Sequence, residues 1–148
     1  MSYDLTFLHK PADVSWDDLR DAEEDADLSD EAPDAAQWAA ITAAATQLLG
    51  EVELHAGEAF FELDHNPTGL QLTLYAGSAA ITVPYWHQGP DAQRVVRTMY
   101  DLAAIVERHT GLTGYDPQLE RPTAEASPEH AVTIFDQTAA ILRRRPQP

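Results

Sequence analysis

Between positions 51 and 85 apolar residues recur at every second position, in runs separated by turn residues, and that pattern restricts the chain to folds built on a meander of antiparallel strands. Val52, Leu54 and Ala56 alternate with Glu51, Glu53 and His55, and Phe61 and Leu63 continue the pattern after Gly57, which gives one or two strands. Asn66-Pro67-Thr68-Gly69 is a turn sequence, because its residues fix or tolerate the dihedral angles that reversals need. Beyond it Leu70, Leu72 and Leu74 alternate with Gln71, Thr73 and Tyr75. Gly77-Ser78 marks the next reversal, and Ile81, Val83 and Tyr85 share one face of the following strand. Pro84 marks a sheet edge or the last residues of that strand.

Helical signals flank the meander. Tyr3, Leu5 and Phe7 first alternate with polar residues as a half-buried strand, ended by Pro11. Ser15 and Asp18 form a capping box, after which Trp16, Leu19 and Ala22 lie on one side of a short helix. Repulsion between its carboxylates weakens that helix beyond the first turn, so positions 23–31 are expected to be poorly ordered. A clearer helix opens at Pro33-Asp34, carries Trp38, Ile41, Ala45, Leu48 and Leu49 at helical spacing and stops at Gly50. A long one starts at Gly89-Pro90-Asp91 and runs to Gly111 on a stripe of Val95, Met99, Leu102, Val106 and His109. Tyr115-Asp116-Pro117-Gln118 is the end of a short strand passing into a turn. The last helix, 127–145, begins at Ser127-Pro128-Glu129, faces Ala131, Ile134, Phe135, Thr138 and Leu142 inward, and ends in Arg143 to Arg145 before Pro146. The expected architecture is one α+β domain over residues 1–148, a mainly antiparallel sheet of about five strands covered on one face by three to four helices.

A chain of 148 residues can bury one core and is expected to fold without a cofactor. With no cysteine it has no disulfide, zinc–thiolate or thiol chemistry. The N-terminal stretch has no apolar run of signal-peptide length, so the cytoplasm is the expected location. The net charge of −16 repels phosphate backbones and anionic lipid, which argues against nucleic-acid and membrane partners and for a basic one. From Asp13 to Asp34 there are 11 carboxylates and one base, Arg20, so −10 is concentrated in 22 residues. Lys10 is the single lysine and Asp outnumbers Glu, as in salt-adapted proteins, but salt adaptation spreads carboxylates over the whole surface rather than concentrating them.

Three constellations are candidates for function. The acidic segment 13–34 offers Trp16, Asp17, Asp18, Asp21, Glu23 and Glu24 to a basic partner surface, with Trp16, Leu19 and Leu28 as apolar anchors in a negative field. Tyr85, Trp86 and His87 leave a strand just before a helix start, and Asp116 and Gln118 could converge on them as a small-molecule site; the competing reading has the aromatics packing and Asp116 capping the turn at Pro117. Glu51, Glu53 and His55, with Asp64 and His65 on the neighbouring strand, form an oxygen and imidazole set suited to Mn, Fe or Zn, against the simpler reading of a solvated strand face. No phosphate-binding glycine loop, nucleophile elbow, HExxH or calcium loop is present.

The combination of Gly69-Leu70-Gln71, the run Ala79 to Trp86 within ITVPYWH, the amphipathic helix after it, and TGYDPQ resembles small bacterial proteins, some of which look like immunity proteins of toxin–immunity loci. The resemblance spans roughly residues 1 to 122 and implies a protein that neutralises a toxin by binding it; the acidic insertion is not part of the shared pattern. The expectation is a non-enzymatic immunity-type protein that binds and blocks a basic protein such as a nuclease toxin.

Overall fold

A computed structural model describes residues 2–25 and 31–144. Its strands are β1 (Ser2–Leu8), β2 (Glu53–Ala56), β3 (Phe60–His65), β4 (Leu70–Tyr75), β5 (Ser78–Pro84), β6 (Thr113–Asp116) and β7 (Arg121–Pro122). They form a single sheet of order β2-β3-β4-β5-β1-β6-β7, antiparallel at every pairing. The seven strands exceed the five expected. The run from 51 to 65 is two strands folded back by a tight turn in which Gly57 N–H donates to the Phe60 carbonyl at 3.0 Å. The Phe60 ring lies over Gly57, so a Cβ there would have to turn the ring aside. β7 is too short to carry a period.

The N-terminal strand completes the sheet from within. β1 lies between β5 and β6, with Leu5 opposite Ile81 and Thr6 opposite Tyr115. Past the end of β6, Pro117 has no N–H to continue the ladder. The Gln118 side-chain amide replaces it, accepting from Asp4 N at 3.0 Å and donating to Asp4 O at 2.8 Å.

One face of the sheet is buried. Tyr3, Leu5, Phe7, Leu72, Ile81 and Val83 point into it, and α2 (Ala35–Leu49), α3 (Pro90–Thr110) and α4 (Pro128–Arg144) pack over it. Asp34 caps α2, its Oδ1 accepting from Ala36 N and Gln37 N at 2.8 and 3.0 Å. The Trp38 ring of α2 stacks on Phe61 of β3 with centroids 5.5 Å apart. Phe135 of α4 packs against Tyr3 and Tyr85, and α3 lies between α2 and α4 with Met99, Leu102 and Val106 fully buried.

The fourth helix departs from the expectation of helices on one face. α1 (Trp16–Asp25) packs against the opposite face, because Tyr115 shares the side of the sheet that Thr6 occupies and the Trp16 ring stacks on it at 4.6 Å. The Ser15 hydroxyl accepts from Asp18 N at 3.1 Å, as the capping box requires. The helix runs to Asp25, and the Trp16 stack and the Arg20 guanidinium over the Tyr115 ring anchor its first turns. Residues 26–30, Leu28 among them, and 145–148 lie outside the described residues, as do the side chains of Glu23 and Glu24. Among the described residues no helix is long and apolar enough to cross a membrane.

Candidate functional site

Alternation that buries one face of the sheet leaves the other polar, and the register arranges it in rows. One row runs Glu53, Asp64, Gln71, Thr82, Asp4 across β2, β3, β4, β5 and β1; the next runs His55, Glu62, Thr73, Ala80, Thr6, Tyr115 and reaches β6. α1 covers the Tyr115 end, while the residues of both rows from β2 to β1 keep solvent exposure. Aromatic residues stand at both ends of this acidic surface. Tyr75, opposite Phe60, is 37% exposed at one end. At the other, Trp86 is 68% exposed and rests on Gly69 beside Pro84. Gly69 has φ +74° and a Cβ there would approach Trp86 Cζ3 and Pro84 Cγ to 2.7 Å, so the ring's seat depends on glycine.

The metal constellation read from the sequence is altered by this register. Glu51 precedes β2 and stands outside the rows, and His65 points to the other face, where its Nδ1 lies 2.7 Å from Thr68 Oγ1. Glu53 stays beside His55, at 3.8 Å, and its Oε1 accepts from Asn66 Nδ2 at 3.1 Å. The close group is His55, Glu62 and Asp64, whose ligand atoms all lie within 4.8 Å of one another, with His55 Nε2 3.2 Å from Asp64 Oδ2. Glu62 was missed because it joins His55 through a cross-strand pairing that the Gly57–Phe60 turn sets. A shallow cleft of about 270 Å³, lined by Glu51, Glu53, Asp64 and Asn66, opens beside the group.

Desolvation, followed by the adjacent Asp64 carboxyl, holds Glu62 above its ordinary value of 4.5. A raised folded-state value means that protonation favours the fold: this contribution is full below pH 4.5 and is lost as pH rises through the raised value. Glu62→Gln is therefore expected to stabilise the protein at pH 7 by roughly 0.5 kcal/mol, the scale of surface charge interactions, with the gain vanishing below about pH 4. Urea titrations of both proteins at the two pH values check this; a destabilised variant at pH 7 would contradict it.

The small-molecule constellation comes together only in part: Gln118 and Tyr85 lie near Asp116, whereas Trp86 and His87 turn away from it. Asp116 is fully buried on the core face, where its Oδ2 accepts from Tyr3 OH at 2.5 Å and from Tyr100 OH. Its Oδ1 accepts from Gln118 N, Gln118 Nε2 and Leu119 N at 2.9, 2.7 and 3.3 Å. Burial, reinforced by the Asp116 carboxyl, pushes both phenols far above their ordinary range, so they remain donors. Gln118 is engaged by Asp4 and Asp116. Tyr85 packs on Phe135 with ring centroids 4.8 Å apart, and burial raises its phenol. His87 turns elsewhere, its Nε2 2.8 Å from Thr68 O, and lines a separate cleft of about 410 Å³ with Asp91, Arg94 and Thr98. Tyr3 and Tyr100, which complete the Asp116 network, carry no sequence signal linking them to position 116.

In the acidic segment, Asp17, Asp18 and Asp21 project to solvent from α1. Trp16 is half-buried, one ring face on Tyr115 and Lys10 Nζ 5.9 Å from its centroid, so it fastens the helix to the sheet. The arrangement thus combines an acidic sheet face that no described helix covers from β2 to β1, an acidic helix at its border and exposed aromatic rings at its ends. No family model, curated protein or solved structure matches the chain.

Proposed function

We propose that the protein is a non-enzymatic binding protein of immunity type, which docks the open face of its sheet on a basic protein in the cytoplasm and blocks it. The rows of Asp4, Glu53, Glu62 and Asp64, which no described helix covers, flanked by the exposed rings of Trp86 and Tyr75, carry this reading. A negative field steers a basic partner, and aromatic anchors supply the contact energy that charge alone does not. Asp17, Asp18 and Asp21 extend the field along α1. The net charge of −16 disfavours nucleic acid and anionic membranes as partners. The resemblance of the GLQ, ITVPYWH and TGYDPQ segments to immunity proteins points the same way and supplies a toxin, such as a nuclease, as the kind of partner. Capture from lysate of the source organism at low salt, with wild type and the Glu62→Lys/Asp64→Lys variant side by side, tests the reading. One basic protein held by wild type alone, and released by moderate salt, supports it; equal retention by both contradicts it.

A divalent cation held by His55, Glu62 and Asp64 is the second reading, favoured by the proximity of an imidazole and two carboxylates. It predicts that Mn2+ or Zn2+ raises the melting temperature of wild type and not of His55→Ala. Equal shifts in the two proteins, or none, would remove it.

A further inference from the structure

The two edges of the sheet differ. β7 is two residues long and contains Pro122, which has no N–H to offer. β2 has four residues, all exposed, and contains neither proline nor lysine. Gly57 N–H bonds to Phe60 O, which makes 57 and 60 a hydrogen-bonded pair. By the alternation of antiparallel ladders, Glu53 and His55 then bond to β3, while Leu54 and Ala56 turn their N–H and C=O groups outward. No described strand takes them up. The two faces of this edge also differ: Glu53 and His55 continue the acidic rows, whereas Leu54, 52% exposed, lies on the other side.

We propose that the β2 edge receives an extended segment of the basic partner as an added strand, with Lys or Arg alternating with apolar residues. This rests on the reading of the open face as the docking surface and adds the mode of binding. The basic side chains fall in line with the Glu53–Asp64 and His55–Glu62 rows, and the apolar ones lie beside Leu54 and Ala56. A second copy is a poorer occupant, since each chain carries −16 and the edge would set acidic rows side by side. The same acidic rows that repel a copy select a basic strand.

The test uses a short capped peptide alternating Lys and Val, and a permuted peptide of the same composition in which the alternation is broken. Binding is read by fluorescence anisotropy at low and moderate salt. On the protein side, Ala56→Pro removes an N–H that no described strand takes up and leaves the charge unchanged. On the peptide side, N-methylation of the residue facing Leu54 removes the matching donor without touching the protein. The alternating peptide is expected to bind about tenfold tighter than the permuted one or better, and Ala56→Pro and N-methylation are each expected to lower its affinity by about tenfold or more. Equal affinity for the two peptides, or indifference to both backbone changes, would overturn strand addition; if binding still weakened with salt, the acidic-face reading would stand without it. Absence of binding by the alternating peptide at low salt would also overturn it, leaving lysate capture to judge the wider reading. A wild-type dimer in sedimentation that Ala56→Pro dissolves would assign the edge to a second copy and overturn it too.

Discussion

Asp116→Ala is expected to lower stability by about 3–5 kcal/mol, the cost of removing the centre of a buried polar network. The carboxyl accepts from Tyr3, Tyr100, Gln118 and Leu119, so its loss strands donors contributed by β1, α3 and the turn after β6. The two phenols can donate to one another in only one direction, which leaves the proton of the accepting hydroxyl without an acceptor in the core. On a chain of this size the melting temperature should fall by roughly 10 °C or more. Tyr3→Phe removes a single donor while Tyr100 still serves Oδ2, so it should cost only about 1 kcal/mol. Both phenols are held above their ordinary range, so the stability they contribute is present below about pH 10 and is lost as pH climbs through the raised values. Urea unfolding of the three proteins decides the matter. A loss below about 1 kcal/mol for Asp116→Ala would mean that water replaces the network at little cost.

Reversing Glu62 and Asp64 together to lysine is expected to weaken binding of the basic partner about 100-fold, or roughly 2–3 kcal/mol. Both side chains are partly exposed on the open face, so the fold should survive. The control places the same change of charge at Asp101 and Asp136, on α3 and α4. That variant alters the total field equally but leaves the sheet face intact, and its loss should stay within about threefold, mostly in the association rate. Affinity measured by calorimetry at two salt concentrations separates the cases. Equal losses in the two variants would mean that net charge, and not this face, governs association.

Local signals disclosed the elements. The period of two in Leu70, Leu72 and Leu74 placed β4, and Pro90 and Gly111 bounded α3, because those residues act on their own backbone. The reading of Asp116 as a turn cap was also available from Asp-Pro alone, and its side chain does accept from Gln118 N and Leu119 N. What the chain did not disclose depends on contacts between distant residues. Nothing in Tyr3 announces a hydrogen bond to residue 116, and nothing in the Ser15 capping box states on which face of the sheet α1 will lie. Glu62 entered the candidate site only through register: a slip of one residue at the Gly57 turn would have sent it to the core face and Leu63 to solvent.

Zero-length carbodiimide cross-linking of the protein to its captured partner, read by mass spectrometry, tests the central claim most directly. Carboxylates within bonding distance of partner lysines become covalently joined, so the linked residues report which face is docked. The predicted links are at Glu53, Glu62, Asp64 and Asp4, on the open face. Links confined to Asp101, Glu129 and Asp136, on the helices of the covered face, would contradict it.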